Sequence, residues 1–486
     1  MSVYQSFIGL EIHIHLLTKT KIFCGCRAAF GDEPNTNVCP ICMGYPGVLP
    51  ALNKEAIAKA YLVARALECT LAPLTVFERK NYFYPDLPKN YQISQFASPV
   101  GRNGHIDLEL SGKTKRVRIH DVHLEEDAGK MIHAGDVSLL DYNRTGTPLL
   151  EIVTEPDLEI GEEAEHFLQH FRRLVRYLGV CDGNMEEGSM RCDANVSVNL
   201  AGKGLGSKVE IKNLNSSRFV KKALTFEIAR HEEVLERGGK VLQETRLWNE
   251  NRDLTEGMRS KEQADDYRYF PEPDLPPFKA DLSFLAEVEG ALVELPAARR
   301  SRLSRDYSLS EAQLDFITEE KDRADFFERT VALGADPLAA ATWLGSDVKK
   351  LLNRAGIELA ESPLTPKRLA ELLVLLGENR IHGKIAKQAL EALFAEDKDP
   401  IEIIRERGWE RIDDAGDVAG FVDEAIATNP QAVGAIRGGD MKAIGFLVGQ
   451  IMKASSGRAD PKVVQRLLRE RLAAQVTEDS DANISG

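Results

Sequence analysis

Three acidic stretches in the first third of the chain carry the residue types that bind hard cations. They cover residues 9–15, 123–130 and 147–155. In the first stretch apolar residues recur at every second position, which predicts a β-strand with Glu11, His13 and His15 together on its other face. Carboxylate oxygens beside an imidazole are typical of a Mg²⁺ site rather than of a soft-metal site. We therefore predict that these strands form the floor of a polar cleft.

Taken singly, each stretch is more typical of the solvated face of a sheet than of a metal site. The surroundings of Glu151 favour the metal site. This carboxylate lies in the apolar run 149–153, which is typical of a strand buried on both faces. Because an unpaired charge in such a place loses several kcal/mol of hydration, Glu151 requires a partner or a cation.

Four of the seven cysteines form two close pairs, Cys24 with Cys26 and Cys39 with Cys42, separated by twelve residues. The spacing is typical of a zinc site in which each pair supplies two legs of a tetrahedron. The alternatives are unrelated thiols or disulfides, and a reducing cytoplasm disfavours disulfides. Four thiolates leave no open coordination position, so we predict a structural zinc ion rather than a catalytic one.

Length and composition indicate a globular protein of about two to four domains, with 486 residues, 43% of them hydrophobic and 28% charged. No apolar run is long enough to span a membrane, and the N-terminus lacks a basic, hydrophobic leader. These features predict a cytoplasmic protein. A formal net charge of −14 argues against a general nucleic-acid-binding protein.

Positive charge is nevertheless concentrated near the C-terminus, between positions 437 and 471. Asp460 and Pro461 are typical of a helix start, with Asp at the N-cap and Pro at the first helical position. The helix that follows is predicted to bury Val464, Leu467 and Leu468 and to expose a basic stripe. Such a stripe is either a solvated face or a phosphate-binding surface. The candidate phosphate-binding residues are Lys453, Lys462, Arg466 and Arg469.

The order of elements predicts an α+β fold rather than a doubly wound sheet. Helices are predicted over 54–67, 162–178 and 218–236, and hairpin turns at 101–104 and 111–113. The sequence contains neither a Walker phosphate loop nor a Gly-x-Gly-x-x-Gly motif, so nucleotide binding would need another scaffold. We predict a first domain at 1–292 with the cysteine knuckle at 24–42, a helical domain at 293–405, a basic helical tail domain at 406–476, and a disordered segment at 477–486.

Eight sequence blocks spread over the whole chain resemble the B subunit of the aspartyl/glutamyl-tRNA(Asn/Gln) amidotransferase, the GatB family. The blocks are residues 9–13, 79–89, 91–95, 123–130, 185–195, 212–216, 266–274 and 445–453. The resemblance implies a cradle-like kinase domain with a largely antiparallel sheet, followed by an all-α domain and a small tail domain that binds tRNA. It also implies two partners. One is the amidase, or A subunit, which is a glutaminase, and the other is the small C subunit.

The implied activity is that of an ATP-dependent carbon–nitrogen ligase with glutamine as amido donor. ATP phosphorylates the side-chain carboxylate of Glu-tRNA(Gln) and/or Asp-tRNA(Asn). Ammonia channelled from the glutaminase then converts the acyl phosphate into the amide of Gln-tRNA(Gln) or Asn-tRNA(Asn). Phosphoryl transfer depends mainly on positioning and charge neutralisation, which agrees with an acidic, cation-binding cleft.

Carried onto this chain, the resemblance implies that His13, Glu126 and Glu151 ligate Mg²⁺, with Glu11 beside them. Glu126 is chosen over Glu125 by its position in the motif alone, because strand alternation does not decide between the two. The cysteine quartet is similar to that of the zinc-bearing members of the family.

Further site residues follow from the same resemblance. It implies contacts to ATP or to a second metal by Arg191, Asp193, Glu210 and Lys212. It places Lys80 and Lys89 in the block that lines the ammonia channel, with Lys89 as the candidate gate. A closed path is chemically required, because ammonia in bulk water near neutral pH is mostly the non-nucleophilic ammonium ion.

An alternative hypothesis from another class is a zinc-containing, tRNA-binding adaptor without a catalytic site of its own. The two hypotheses differ in the need for convergent acids. A phosphoryl-transfer site requires the predicted group of His13, Glu126 and Glu151, whereas an adaptor has no use for it.

Overall fold

The computed structural model describes residues 3–110, 112–258, 267–410, 412, 415–437, 442–455 and 457–482. By its internal contacts the chain divides into two units, Met1–Pro296 and Ala297–Gly486. Strands dominate the first unit, whereas the second is helical. Among the described residues, no helix combines the length and the apolar character that crossing a membrane requires.

The described elements are numbered in chain order. The strands are β1 (Tyr4–His15), β2 (Thr70–Leu71), β3 (Leu74–Thr75), β4 (Glu78–Asn81), β5 (Tyr91–Ser94), β6 (Gly101–Leu110), β7 (Lys113–Glu126), β8 (Lys130–Ala134), β9 (Val137–Asp141), β10 (Pro148–Thr154), β11 (Met190–Leu200), β12 (Val209–Leu214), β13 (Glu244–Asn249), β14 (Leu254–Gly257), β15 (Phe270–Pro271) and β16 (Phe278–Lys279). The α-helices are α1 (Lys54–Ala66), α2 (Gly161–Tyr177), α3 (Ser217–Glu236), α4 (Leu282–Ala291), α5 (Pro296–Asp306), α6 (Glu311–Thr318), α7 (Lys321–Ala332), α8 (Pro337–Trp343), α9 (Lys349–Ala355), α10 (Pro366–Gly377), α11 (Gly383–Leu393), α12 (Pro400–Glu406), α13 (Ala415–Thr428), α14 (Pro430–Arg437), α15 (Lys442–Ala454) and α16 (Pro461–Ala482). A π-helical segment, Leu344–Val348, and a 3₁₀ turn, Leu359–Glu361, complete them.

A nine-stranded sheet forms the centre of the first unit, in the order β14-β13-β12-β11-β1-β10-β7-β6-β2. Neighbouring strands are antiparallel except β12 and β13, which are parallel. On the central strand β1, the alternate apolar side chains from Ile8 to Ile14 are buried, while Glu11, His13 and His15 lie on the opposite face. The predicted alternation of this strand is confirmed.

Helices α1, α2 and α3 cover the apolar face of the sheet, where Ile57, Phe167 and Leu224 join its hydrophobic cluster. The three helices predicted at 54–67, 162–178 and 218–236 are confirmed to within one residue at each end. Side chains at the N-caps fix two of the starts: Asn53 accepts hydrogen bonds from the first turn of α1, and Ser216 does so for α3. Because the helices cover one face, the polar side chains project from the other.

One predicted hairpin turn is wrong. Residues 101–104 do not reverse the chain but begin the strand β6. The glycines there serve a close approach, because a Cβ atom on Gly104 would overlap the carbonyl oxygen of Leu67 at the end of α1. The hairpin predicted at 111–113 is confirmed by the pairing of Leu110 with Lys113, although Ser111 itself lies outside the described residues.

The second unit contains two hydrophobic clusters, one between Leu303 and Ile404 and the other between Val418 and Leu472. Helix α16 begins at Pro461 as predicted, and it buries Val464 and Leu468 in the second cluster. It continues to Ala482, so the first part of the segment predicted to be disordered, 477–486, is helical, and residues 483–486 lie outside the described residues. The α+β class is confirmed, whereas the cradle shape and the three-domain boundaries stay predictions.

Candidate functional site

Three titratable side chains form one row across the polar face of β1, β10 and β7. Antiparallel pairing sets His13 opposite Glu151 and Glu151 opposite His123. The Oε2 atom of Glu151 lies 3.2 Å from Nε2 of His13 and 3.0 Å from Nε2 of His123. Directly opposite residues project from the same face of a sheet. The strand register, rather than a loop, therefore brings the three groups together.

Two further carboxylates flank this row, because residues two positions apart on a strand share a face. Oε1 of Glu11 lies 3.9 Å from Nε2 of His13, and Oε1 of Glu125 lies 4.0 Å from the same nitrogen. Donor atoms of Glu11, His13 and Glu151 lie within 4.8 Å of one another, as do those of His123, Glu125 and Glu151. Carboxylate oxygens with imidazole nitrogens fit a divalent cation such as Mg²⁺, and these are the residues that would hold it.

The structure does not place the predicted ligand Glu126 in this cluster, and Glu125 takes its position. Glu126 projects from the other side of β7, where it forms an ion pair with Lys89 and accepts a hydrogen bond of 2.9 Å from the backbone N–H of Ile93. A shift of one residue along a strand reverses the face on which a side chain lies. The pairing of His123 with β10 therefore fixes Glu125, not its neighbour, on the side of the row.

Burial and crowding shift the protonation of these acids. Burial and the neighbouring Glu151 raise the pKa of Glu11 to about 7. Burial also raises the pKa of Glu125. It opposes the ionisation of Glu151 too, but the two histidines outweigh it and hold the pKa of Glu151 well below its usual range. A cation would favour the charged form of all three carboxylates, since opposite charge nearby lowers a carboxyl pKa.

The predicted ATP contacts lie on the next strands of the same polar face. On β11, Arg191 lies opposite His13 of β1, and Asp193 lies opposite Glu11. Nζ of Lys212 lies 2.8 Å from Oδ2 of Asp193 and 2.9 Å from Oε1 of Glu210. The four residues therefore form a charged extension of the row, and their role towards ATP stays a prediction.

Sequence reasoning did not single out Asp127, which is buried at the end of the row. Its Oδ2 atom lies 2.6 Å from Nε2 of His15, 2.9 Å from Nη2 of Arg191 and 3.3 Å from Nε of Arg144. Burial opposes its ionisation, but Arg191, the hydrogen bond with His15 and Arg144 hold the pKa of Asp127 well below its usual range. The same reasoning missed His123 as a site residue. The stretch 123–130 was the available signal, but only long-range strand pairing shows which of its residues face the site.

A cleft of about 420 Å³ opens over the row and is lined by Glu125, Glu151 and Lys80 among others. Burial would lower the pKa of Lys80, but Glu125 and other negative neighbours raise it, so this lysine is the cationic wall of an acidic cleft. Val153 also lines the cleft. Strand β10 nevertheless has no exposed residue: on this face Leu149 is buried and Glu151 and Val153 are only partly exposed, so the prediction that both of its faces are buried is largely confirmed.

Lys89, the other lysine predicted at the ammonia channel, lines a different cavity of about 190 Å³. Its side chain is 8% exposed, and that of its partner Glu126 is 3% exposed. Lys21, Cys24 and Cys42 line the same cavity. The buried ion pair and the cysteine knuckle are thus neighbours.

The four predicted zinc ligands come together, since the sulfur atoms of Cys24, Cys26, Cys39 and Cys42 all lie within 4.8 Å of one another. The Sγ atoms of Cys39 and Cys42 are 3.9 Å apart. A tetrahedral site with Zn–S bonds of about 2.3 Å has sulfur–sulfur edges of about 3.8 Å. The cluster can therefore bind a metal and is compatible with structural zinc.

The basic residues predicted for RNA contacts lie in the second unit, on α15 and α16. Lys453, Lys462, Arg466 and Arg469 are all exposed. On α16 the aliphatic neighbours Val464 and Leu468 are buried, so Lys462, Arg466 and Arg469 form the outer face of this helix.

The fold and site define a class of protein in which an acidic, histidine-containing cleft and a four-cysteine cluster share one sheet-based unit, with a helical unit after it. Residues 6–286 match the model of the GatB/GatE catalytic domain, and residues 325–472 match that of the GatB domain. The chain belongs to the GatB family.

Full-length relatives support this assignment. One, from Carboxydothermus hydrogenoformans, is 49% identical over 479 residues, which cover 97% of this chain and 100% of the relative. Others from Solidesulfovibrio magneticus and Geobacter sulfurreducens are each 48% identical over 475 residues, covering 97% and 96% of this chain and 100% and 99% of the relative. All three carry the name of the B subunit of the aspartyl/glutamyl-tRNA(Asn/Gln) amidotransferase.

Proposed function

We propose that this chain is the ATP-dependent catalytic component of a tRNA-dependent amidotransferase, a carbon–nitrogen ligase with glutamine as amido donor. Its substrates are Glu-tRNA(Gln) and/or Asp-tRNA(Asn), and its partners are the glutaminase, or A subunit, and the small C subunit. The observation that carries the proposal is the convergence of His13, Glu151, Glu11 and Glu125 on one face of the sheet. The names of the full-length relatives support the same reaction.

The reaction has two steps. A side-chain carboxylate oxygen of the aminoacyl-tRNA attacks the γ-phosphorus of ATP, so a new P–O bond forms while the bond to the β,γ-bridging oxygen breaks and ADP leaves. Ammonia then attacks the carbonyl carbon of the acyl phosphate, inorganic phosphate leaves with the C–O electron pair, and the nitrogen loses a proton to give the amide. The first step places several negative charges together, so neutralisation is its main requirement.

The residues of the row meet this requirement. His13, Glu125 and Glu151 would hold Mg²⁺, with Glu11 beside them, and the ion when bound neutralises phosphate charge. Lys80 adds a fixed positive charge to the wall of the cleft. We assign contacts with ATP or a second metal to the adjoining group of Arg191, Asp193, Glu210 and Lys212, in which both signs of charge are present.

Ammonia reaches the acyl phosphate from the glutaminase along a path in the first unit. We assign this path to the region of Lys80 and Lys89, with the buried pair of Lys89 and Glu126 as its gate. While this buried salt bridge is formed, it keeps water out of the path. When the salt bridge breaks, the path opens. Protection from water matters because a reactive acyl phosphate is otherwise hydrolysed.

The remaining features have supporting roles in this proposal. Zinc held by the cysteine quartet stabilises the knuckle at 24–42. Residues 1–292 act as the kinase domain, 293–405 as a helical domain and 406–476 as the tail domain. The tail contacts the tRNA backbone through its basic residues, Lys453, Lys462, Arg466 and Arg469. A localised basic surface allows a protein with a net negative charge to bind phosphates.

The decisive experiment compares Glu125→Gln, Glu151→Gln and Glu126→Gln in the assembled complex, with Glu287→Gln as a surface control. Glu287 is exposed and pairs only with Lys54 among the contacts described for it. ATP hydrolysis dependent on aminoacyl-tRNA should fall by at least about a hundredfold in the first two variants, because each removes a charge from the cation-binding row. Glu126→Gln should retain hydrolysis but form less amide for each ATP consumed.

Hydrolysis that persists in both Glu125→Gln and Glu151→Gln would contradict the proposal. In that case the chain would be a zinc-containing, tRNA-binding adaptor that presents its substrate to a catalytic partner. A loss of hydrolysis in the Glu126 variant equal to that in the Glu125 variant would instead contradict the reassignment of the ligand.

A further inference from the structure

Two aromatic rings stack at the cleft above the acidic row. Phe96 follows β5 and Tyr269 precedes β15, and their ring centroids lie 4.5 Å apart with an angle of 11° between the planes. Both residues line the cleft that also contains Glu125 and Glu151. Phe96 is 61% exposed. Its ring is therefore accessible to a molecule that enters the cleft.

The backbone that carries Phe96 is held firmly from both sides. The N–H groups of Phe96 and Ala97 each donate a 2.7 Å hydrogen bond to Oε2 of Glu78, whose side chain is buried. Arg102 donates from Nη2 to the carbonyl oxygens of the same two residues, at 3.4 and 3.0 Å. An exposed ring on a backbone fixed by a buried carboxylate and a guanidinium is preorganised for binding.

The composition of the cleft indicates which ligand would use this ring. Its floor is acidic and polar, which suits a cation and charged oxygens, whereas the stacked pair offers a flat apolar face. Purine bases stack on aromatic side chains because every base has a π face. A ligand with phosphate or carboxylate oxygens at one end and a purine at the other therefore matches both parts of the cleft.

We propose that Phe96 and Tyr269 form a stacking platform for an adenine ring. This inference rests on the proposed function, in which two substrates bring an adenine to this cleft. One is ATP, and the other is the 3′-terminal adenosine that carries the amino acid on tRNA. The platform holds the base so that the reacting phosphate or carboxylate reaches the row of His13 and Glu151.

The test measures base selectivity by equilibrium binding to the assembled complex. The first arm compares ATP with inorganic tripolyphosphate, which has the charge but no base. The second compares tRNA that ends in its full CCA sequence with tRNA that lacks the terminal adenosine.

The variants are Phe96→Leu and Tyr269→Leu, which keep apolar volume but remove the ring, and Phe96→Tyr, which keeps the ring. Phe30→Leu is the matched control, because Phe30 is 77% exposed and is not among the residues that line the cleft.

In one of the two arms, Phe96→Leu and Tyr269→Leu should lower the affinity for the adenine-containing ligand about tenfold or more. The affinity for the ligand without adenine should not change. Phe96→Tyr and Phe30→Leu should bind like wild type. The arm that responds identifies the source of the base. Unchanged selectivity in both arms overturns the inference, and so does an equal loss for the ligands without adenine. If the wild-type complex bound neither ATP nor tRNA, the proposed function would fail as well, whereas intact binding with unchanged selectivity overturns this inference alone.

Discussion

Gly44 lies directly against Lys89, so that a Cβ atom on Gly44 would overlap the side chain of the lysine. Gly44 follows Cys42 by two residues and has a φ of +67°. Lys89 in turn forms the buried ion pair with Glu126. The backbone that directly follows the cysteine knuckle therefore supports one partner of that pair by direct contact.

Substitution of this glycine should disturb the pair. Gly44→Ala adds a methyl group where Lys89 lies and strains a left-handed backbone, so we expect a loss of about 2 kcal/mol or more in the free energy of unfolding. Gly47→Ala is the matched control, since Gly47 has a φ of +85° and no neighbour within 4 Å of its Cβ position. The control should lose only about 1 kcal/mol, from backbone strain. Urea unfolding of both variants checks this, and equal losses would contradict the contact.

The buried lysine beside the knuckle should strengthen metal binding. Lys21 is fully buried, and its Nζ atom lies 3.6 Å from Sγ of Cys42 and 3.3 Å from the carbonyl oxygen of Tyr142. Four thiolates around Zn²⁺ leave a net negative charge, which a buried ammonium group offsets. We expect Lys21→Met to release zinc to a chelator at least about tenfold more readily than wild type.

A colorimetric chelator titration measures that release, and the absorption of the cobalt-substituted protein reports the geometry of the site independently of activity. Lys19→Met serves as the control, because Lys19 is exposed and lies two residues away on the same segment. Zinc release from the Lys21 variant at the rate of the control would remove Lys21 from the metal site.

Local spacing and long-range pairing contributed differently to what could be predicted. The cysteine quartet could be predicted because both pairs are close in sequence, and the alternation of β1 could be predicted because it repeats within one strand. The choice between Glu125 and Glu126 could not be predicted, because it depends on how β7 pairs with β10. The separation of Lys80 and Lys89 into two cavities likewise depends on strands that meet only in the folded sheet.

A buried carboxylate away from the site gives the first unit a predictable pH dependence. Glu227 on α3 accepts hydrogen bonds from Arg230 and from Thr255, the latter 2.7 Å long, and lies 3.1 Å from Nε2 of His231. Burial opposes its ionisation, but these partners outweigh it and lower the pKa of Glu227 to about 2. Because the folded pKa is lowered, the resulting stability of roughly 3 kcal/mol is present above the ordinary value near 4.5 and is lost as the pH falls towards 2.

Glu227→Gln tests that dependence. The variant should be less stable than wild type at pH 7, and the difference should shrink as the pH falls from about 4.5 to about 2. Amide hydrogen exchange in Ser217–Glu236, compared between the two proteins at each pH, reports the stability of this unit. A difference that stays constant over the acid range would show that the charge of Glu227 does not contribute.

The tail surface should bind tRNA through phosphate contacts alone. The triple variant Lys462→Gln, Arg466→Gln and Arg469→Gln removes exposed charges while Val464 and Leu468 keep α16 packed. Each phosphate contact that is lost should make the plot of log affinity against log salt concentration shallower by about 0.7 to 0.9. Filter binding of tRNA at several salt concentrations measures this slope.

Removing positive charge anywhere on the protein would reduce its long-range attraction for tRNA. The control must therefore remove the same amount of charge from another surface. Lys350, Arg354 and Lys384 are exposed on other helices of the second unit, and their glutamine variants provide this control. The tail variant should lose both affinity and salt slope, whereas the control should lose at most a little affinity. The glutaminase activity of the complex should not change in either, because neither set alters the sheet-based unit. Equal effects of the two sets would mean that net charge, and not the surface of α16, attracts the tRNA.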